Sequence, residues 1–212
     1  MIDIIKEACV QTLGEALLAQ QNGADRIELC SRLDLDGLTP SRDLIRLVES
    51  RLTIPIKVMI RPRGGDFNYN NKELSQMKDD ILFCKSLNIS GVVFGILNKE
   101  NAIDIESTRA LSDIAGRLDV TFHKAIDQVV SIFSELDTLK NITKVSSVLT
   151  SGGADSAKSG SAIIKKMIDR VEDKVIIIPA GSITKHNLNE IHSFIGAKEY
   201  HGRKIVDISK SN

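Results

Sequence analysis

The chain has 212 residues, and its 28 basic and 28 acidic side chains give a formal net charge of zero. The absence of any basic block argues against nucleic acid or an anionic membrane surface as the main partner. No apolar run approaches the ~18 residues that a membrane span needs, and the opening MIDIIKEACV lacks the pattern of a secretory signal. Three cysteines, an odd and sparse set, suit a reducing compartment. We therefore expect one cytoplasmic domain over residues 1–212 whose partner is small.

Short apolar runs alternate with segments of helical period along the whole chain. Thr12 and Glu15 have the spacing of a capping box at the first helix, and Gly23 supplies its end. Thr184 is the predicted cap of the last helix, which ends at Gly196. The pattern predicts eight strands, near 3–9, 25–30, 56–61, 91–94, 119–123, 146–150, 175–179 and 199–203.

A βα repeat of this length fits an open doubly wound sheet or a closed barrel. Alternate side chains of a strand point to opposite faces of the sheet, and the character of these two sets, the two parities, separates the folds. Both faces of an open parallel sheet lie under helices and should be apolar, whereas a barrel has a lumen of different character. Here only one parity is apolar, and the other carries Arg26, Glu28, Cys30, Lys57, Met59, Arg61, Thr121 and His123. The sequence therefore predicts an α/β fold, a single (β/α)8 TIM barrel with the polar parity in its lumen.

The segment after the eighth predicted strand is only VDISKSN, which is too short for a good helix. The last helix is therefore expected to be truncated or absent. One flank of the barrel is then open, either to solvent or to a second copy of the chain, so a homodimer is one expectation.

IRPRGGDF follows the third predicted strand at the C-terminal mouth, where the active sites of barrels lie. Arg61 and Arg63 offer planar donors suited to carboxylate or phosphate, and the glycines let a ligand approach the backbone. The alternative is an ion pair with Glu28 or Asp66 that holds the loop. The motif alone leaves both interpretations open.

TFHKAID ends the fifth predicted strand and places His123 on the lumen parity, with Lys124 and Asp127 in the following loop. A histidine near a carboxylate can act as a general acid or base at neutral pH. A single histidine is more often structural, but its position at the end of a barrel strand favours function.

LTSGGADSA and PAGSIT place small residues after the sixth and seventh predicted strands. Backbone N–H groups and the following helix starts make such loops suitable for anions. The alternative is that the glycines only make tight turns. The residues expected to bind an anion here are Ser151, Gly152, Gly153, Gly181 and Ser182.

Cys9 and Cys30 share the lumen parity on the adjacent first and second strands. Neighbouring strands lie ~4.8 Å apart, so the two thiols can approach each other at the mouth. Two converging thiolates suit a soft monovalent metal, above all Cu(I). The alternative is a pair of small buried apolar residues. Cys84 shares a helical stripe with apolar residues and is predicted to lie in the core.

These stretches together resemble the CutC family of copper homeostasis proteins. The matching segments are GADRIELC, DGLTPS, VMIRPRGGDF, GVVFGIL, TFHKAID and LTSGG, which together span nearly the whole chain. The resemblance implies a cytoplasmic (β/α)8 barrel, Cu(I) binding and copper tolerance, with Cys9 and Cys30 as the copper cysteines. The mouth residues of the family correspond to Glu7, Arg26, Glu28, Arg61, Arg63, His123, Asp127 and Ser151. Asp36, Lys124 and Ser182 depart from its usual pattern.

Three functions from different classes follow. The first is Cu(I) binding through Cys9 and Cys30. The alternative is an enzyme that acts on a small phosphorylated or carboxylated metabolite, and a weaker third is a non-catalytic scaffold that senses anions. The enzyme would use Glu28, His123 and Asp127 as acid or base candidates and Arg26, Arg61, Arg63 and Lys124 as anion contacts.

Parity also predicts how the lumen side chains meet. Arg26, Glu28, Arg61 and His123 are expected to converge at the C-terminal mouth, and Glu28 is expected to pair with an arginine there.

Overall fold

The computed structural model describes residues 4–209. Eight parallel strands alternate with seven α-helices in this part of the chain. The strands are β1 (Ile5–Val10), β2 (Arg26–Leu29), β3 (Ile56–Met59), β4 (Gly91–Phe94), β5 (Asp119–Phe122), β6 (Val145–Thr150), β7 (Ile176–Pro179) and β8 (Glu199–Gly202). The helices are α1 (Leu13–Gln21), α2 (Arg42–Glu49), α3 (Asn71–Lys85), α4 (Ile105–Ala115), α5 (Ile132–Lys140), α6 (Ser161–Val171) and α7 (Leu188–Ile195).

The strands form one sheet in the order β7-β6-β5-β4-β3-β2-β1-β8. Within residues 4–209 no ladder joins β7 to β8, and a parallel bridge between Thr184 and Lys204 closes this seam instead. A turn and bends, with no helix, follow β8 as far as residue 209. The (β/α)8 barrel is therefore confirmed, and no helix follows β8 within residues 4–209.

The predicted strands are confirmed to within two residues at their ends, and the predicted start of the first one, Asp3, lies outside the described residues. Thr12 caps α1 as predicted, because its side chain accepts the Glu15 N–H at 3.1 Å. The Glu15 carboxylate reaches one residue further back, to the Gln11 N–H.

The prediction that Thr184 caps the last helix is wrong. Thr184 is held in the bridge that closes the barrel, and its N–H donates to the Asn187 side chain. The chain therefore makes a turn first, and α7 begins only at Leu188.

The main apolar core lies between the barrel and its helices, and it contains the apolar parity of every central strand, for example Ile27, Val58 and Phe122. Two smaller apolar clusters lie apart from it, one of them formed by Cys9, Cys30, Met59 and Val93. Cys9 and Met59 belong to the other parity, so they face the lumen as predicted. No helix within the described ranges is long and apolar enough to cross a membrane.

Candidate functional site

Two free thiols meet near the C-terminal ends of β1 and β2. The Cys9 and Cys30 Sγ atoms are 3.4 Å apart, and both residues are buried. Register explains the approach, because Cys9 pairs with Glu28 on β2 and the Cys30 N–H donates to the Val10 carbonyl. The parity argument therefore placed the two thiols together correctly.

A carboxylate and an imidazole border the thiol pair. The Cys30 Sγ lies 3.4 Å from Glu28 Oε2, and His201 Nε2 lies 3.7 Å from the same oxygen. Donor atoms of Cys9, Glu28 and Cys30 lie within 4.8 Å of one another, as do those of Glu7, Glu28 and His201. Glu28 belongs to both groups and connects them.

The pKa values of Cys9, Cys30, Glu28 and His201 shift in different directions. A hydrogen bond from Cys30 lowers the pKa of the Cys9 thiol to about 5, whereas the pKa of Cys30 rises well above its usual range because its proton bonds to Cys9 and burial disfavours its charge. Burial raises the pKa of Glu28 to about 8. Burial opposes protonation of His201, but the charge that Glu28 carries when it ionises and hydrogen bonds to Cys9 and Glu7 raise the pKa of His201 well above its usual range. At neutral pH one thiolate thus lies beside a protonated imidazole.

Arg26 lies lower in the lumen than predicted. Its guanidinium pairs with Glu7, and it also contacts Glu199 at 2.5 Å. Burial opposes ionisation of Glu7, but the His201 hydrogen bond and the charges of Arg26 and Lys57 hold the pKa of Glu7 well below its usual range. Lys57 donates to Thr121 and Ser147. We call these side chains the lower lumen cluster: Glu7, Arg26, Lys57, Thr121, Ser147 and Glu199.

Two predictions are therefore wrong. Arg26 is not among the described residues that line the mouth cavity, because β2 begins at Arg26 and the mouth lies at the other end of the strand. Glu28 makes no ion pair with an arginine in the described part of the chain, because two carboxylates of the lower lumen cluster already hold Arg26.

A cavity of about 540 Å³ opens above this cluster at the C-terminal mouth. The predicted site residues that line it are Cys9, Glu28, Cys30, Arg61, His123, Lys124, Asp127, Ser151 and Gly153. His201 and Arg203 line it as well, although the sequence analysis proposed no role for either. The alternation of Glu199 and His201 along β8 was the signal that could have found His201, because it puts both on the lumen parity beside Glu7.

Arg61 and His123 form the wall of the cavity around Phe67. The Phe67 ring lies 4.8 Å from the Arg61 Cζ atom and 4.8 Å from the His123 ring centre. Burial and the Arg61 charge lower the pKa of His123 to about 3, so the ring is neutral near pH 7. Such a weak base is poorly matched to proton transfer at neutral pH.

Arg63 is bound to its own loop and to α3, which gives no support to its predicted anion contact. Its guanidinium donates to Glu73 at 2.7 Å, to Asp66 at 2.9 Å and to the Asn68 carbonyl. The Glu73 carboxylate is fixed there because it forms a capping box with Asn70.

The loop after β6 binds a carboxylate of the protein itself. Asp127 accepts the backbone N–H groups of Ser151 and Gly153, each at 2.9 Å, and the hydroxyls of Thr150 and Ser151. Lys124 lies 3.9 Å from the same side chain. The two N–H groups predicted to bind an external anion are thus used by Asp127, which leaves this carboxylate poorly placed for catalysis.

The other small residues, Gly152, Gly181 and Ser182, make the turns and close packing of the loops after β6 and β7. The Gly152 N–H donates to Thr150, and a Cβ at Gly152 would lie 2.7 Å from the Gly160 carbonyl oxygen. Gly181 packs against Ser151, and the Ser182 carbonyl accepts from the Asn187 side chain. Within the described residues, Gly152, Gly181 and Ser182 do not line the cavity. Their anion contact stays a prediction without support from the cavity, because these residues pack closely against neighbouring loops.

The whole described barrel matches one known family. The sequence model of the CutC family matches residues 4–206. This chain belongs to the CutC family.

Named relatives agree with that assignment. The chain is 42% identical over 197 residues to the human copper homeostasis protein cutC homolog, covering 93% of this chain and 72% of the human one. It is 38% identical to the family protein CutC of Mesorhizobium japonicum, covering 95% of this chain and 78% of that one. A crystal structure of CutC from Streptococcus agalactiae superposes with a TM-score of 0.91 at 30% identity, covering 96% of this chain and all of the other. The resemblance seen in the sequence motifs is therefore confirmed.

Proposed function

We propose that this CutC family protein binds copper as Cu(I) between Cys9 and Cys30. The observation that carries the proposal is the 3.4 Å separation of two free thiols at the end of a cavity. Thiolates are the soft ligands that Cu(I) prefers. Relatives named as copper homeostasis proteins supply the physiological context.

The protonation states of the site suit the binding of Cu(I). Cys9 is already a thiolate at neutral pH, so only the Cys30 proton has to leave when the metal binds. Two thiolates and one Cu(I) carry a net charge of −1, and the protonated His201 lies close enough to balance it. Free thiols also support our inference that the protein acts in the cytoplasm, where cysteines stay reduced.

The enzyme alternative remains a prediction with narrower support. Burial raises the pKa of Glu28 to about 8, close to neutrality, whereas burial and the Arg61 charge lower the pKa of His123 to about 3. Glu28 also lines the cavity, so it is positioned to hold a transferable proton beside a ligand.

A competition titration tests the copper proposal. Under anaerobic conditions the full chain and a coloured Cu(I) chelator compete for one equivalent of Cu(I). Losing a group that merely supports a ligand costs ~10- to 100-fold in metal affinity, so we expect Cys9→Ser and Cys30→Ser each to cost ~100-fold or more.

Cys84→Ser is the matched control, since Cys84 is buried in the main core away from the cavity. We expect its affinity to equal that of the wild type. Equal affinity of the wild type and the Cys9→Ser, Cys30→Ser double variant would contradict the proposal.

A further inference from the structure

Arg61 is a buried cation that has no carboxylate partner among residues 4–209. Its side chain donates to the carbonyl oxygens of Leu35, Gly37 and Gly65, and only 4% of the residue is exposed. In the described chain it makes no ion pair, and its Nε atom has no hydrogen-bond partner. Carbonyl dipoles satisfy donors but do not neutralise the charge, and a buried unpaired charge is costly.

The neighbours of Arg61 do not supply the missing charge. Arg63, two residues along the same loop, has two carboxylates of its own. The buried Tyr69 hydroxyl stays neutral near Arg61, because burial raises the pKa of Tyr69 to about 12. Asp127 lines the same cavity, but hydrogen bonds from the loop after β6 hold its carboxylate.

His123 adds an unused donor to the same wall. Its Nδ1 atom accepts the Ala125 N–H at 3.2 Å, which places the proton of the neutral ring on Nε2. Nε2 is buried and has no hydrogen-bond partner among residues 4–209. A cation and a neutral N–H donor thus flank Phe67 on one side of the cavity.

The cavity is much larger than a metal ion requires. Its volume of about 540 Å³ lies in the range of sites for small organic ligands. Phe67, Leu33 and Leu149 give it apolar surface, and the thiol pair lies in the same space. Gly37 links the two parts, since its carbonyl accepts from Arg61 and a Cβ built at Gly37 would lie 3.5 Å from the Cys30 Sγ.

We infer that Arg61 and His123 bind the carboxylate group of a small organic anion inside this cavity, next to the thiol pair. The site does not rest on copper binding. The charge of the anion neutralises Arg61, its second oxygen accepts the His123 N–H, and its carbon skeleton packs on Phe67.

Calorimetric titration of the copper-free full chain tests this inference with succinate as the probe. We expect succinate to bind the wild type and the uncharged succinamide not to bind. Arg61→Met should weaken succinate binding ~10-fold or more, the effect of one charge-assisted hydrogen bond. Arg63→Met is the matched control and should bind succinate as the wild type does.

Two further variants make the succinate titration decisive. If Arg61→Met fails to fold by circular dichroism, His123→Phe removes the N–H donor from a ring of similar size and should also weaken binding. The Cys9→Ser, Cys30→Ser double variant should bind succinate as the wild type does, which separates this site from copper. Equal binding of succinate and succinamide, an equal loss in Arg63→Met, or binding of inorganic phosphate with no binding of succinate would overturn the inference.

Discussion

The lower lumen cluster and the mouth of the barrel use the same residue types differently. In the cluster, Arg26 lies between Glu7 and Glu199, and Lys57 donates to two hydroxyls. At the mouth, Glu28 Oε1, Arg61 Nε and His123 Nε2 are all buried without hydrogen-bond partners in the part of the chain that the structure describes. The cluster is paired by the protein itself, whereas the mouth keeps donors and acceptors available for something else.

The free-energy cost of unpaired buried groups supports this difference between the lower lumen cluster and the mouth. A buried polar group without a partner costs ~1–3 kcal/mol, so three of them around one cavity are not explained by folding alone. A ligand or ordered water that supplies the missing partners explains them. We therefore interpret the lower lumen cluster as structural and the mouth as a binding site, and each prediction below tests this contrast.

The largest expected effect is in the lower lumen cluster, where the charges are paired. Glu7→Gln removes the charge that faces Arg26 and His201 in a fully buried position, so it should lower the free energy of unfolding by ~3–5 kcal/mol. Glu28→Gln should cost less than ~1 kcal/mol, because burial raises the pKa of Glu28 to about 8 and the native side chain is already mostly neutral at pH 7. Urea denaturation measures both. Equal losses in the two variants would remove the contrast.

A medium effect is expected at Asp127, a mouth carboxylate whose two oxygens both accept hydrogen bonds. Asp127→Asn places an amide where backbone N–H groups of Ser151 and Gly153 donate to a charged oxygen. Hydrogen bonds to charged groups contribute ~1.5–3 kcal/mol, so this variant should lose ~2 kcal/mol and loosen the loop after β6. Hydrogen exchange of the Gly153 amide follows the loop directly. Unchanged protection there would show that Asp127 does not hold it.

The smallest of these effects, measured over one pH unit, is a pH dependence from His123. Burial and the Arg61 charge lower its pKa to about 3, whereas the unfolded chain takes up a proton near pH 6.5. The stability from the neutral ring is therefore present above about pH 6.5 and is lost as the pH falls toward 3, by at most ~1.4 kcal/mol per pH unit.

Comparison with His123→Gln isolates this contribution, since the other titrating groups are common to both proteins. Between about pH 6.5 and 5.5 the wild type should lose ~1 kcal/mol more than the variant. His201 does not produce this difference, because its pKa is raised and its stabilisation is lost only as the pH rises through the folded value. Parallel profiles would mean that His123 is protonated in the folded protein.

Much of this architecture could be predicted from the sequence, because alternation along a strand reports which face a side chain occupies. That rule identified the barrel and brought Cys9 to Cys30. It gives no height along the barrel axis, so Arg26 and Glu28 were both assigned to the mouth although Arg26 lies with the lower carboxylates. The roles of Arg63 and the glycine loops depend on partners distant in sequence, such as Glu73 and Asp127, which local pattern does not specify.

X-ray absorption at the copper edge of the anaerobic Cu(I)-loaded protein tests the account most directly, because it counts the sulfur atoms bound to the metal. The thiol pair predicts two sulfur ligands in the wild type, two in Cys84→Ser and one in Cys30→Ser. A copper centre bound by nitrogen and oxygen alone in the wild type, or one unchanged by Cys30→Ser, would contradict a mouth built around Cys9 and Cys30.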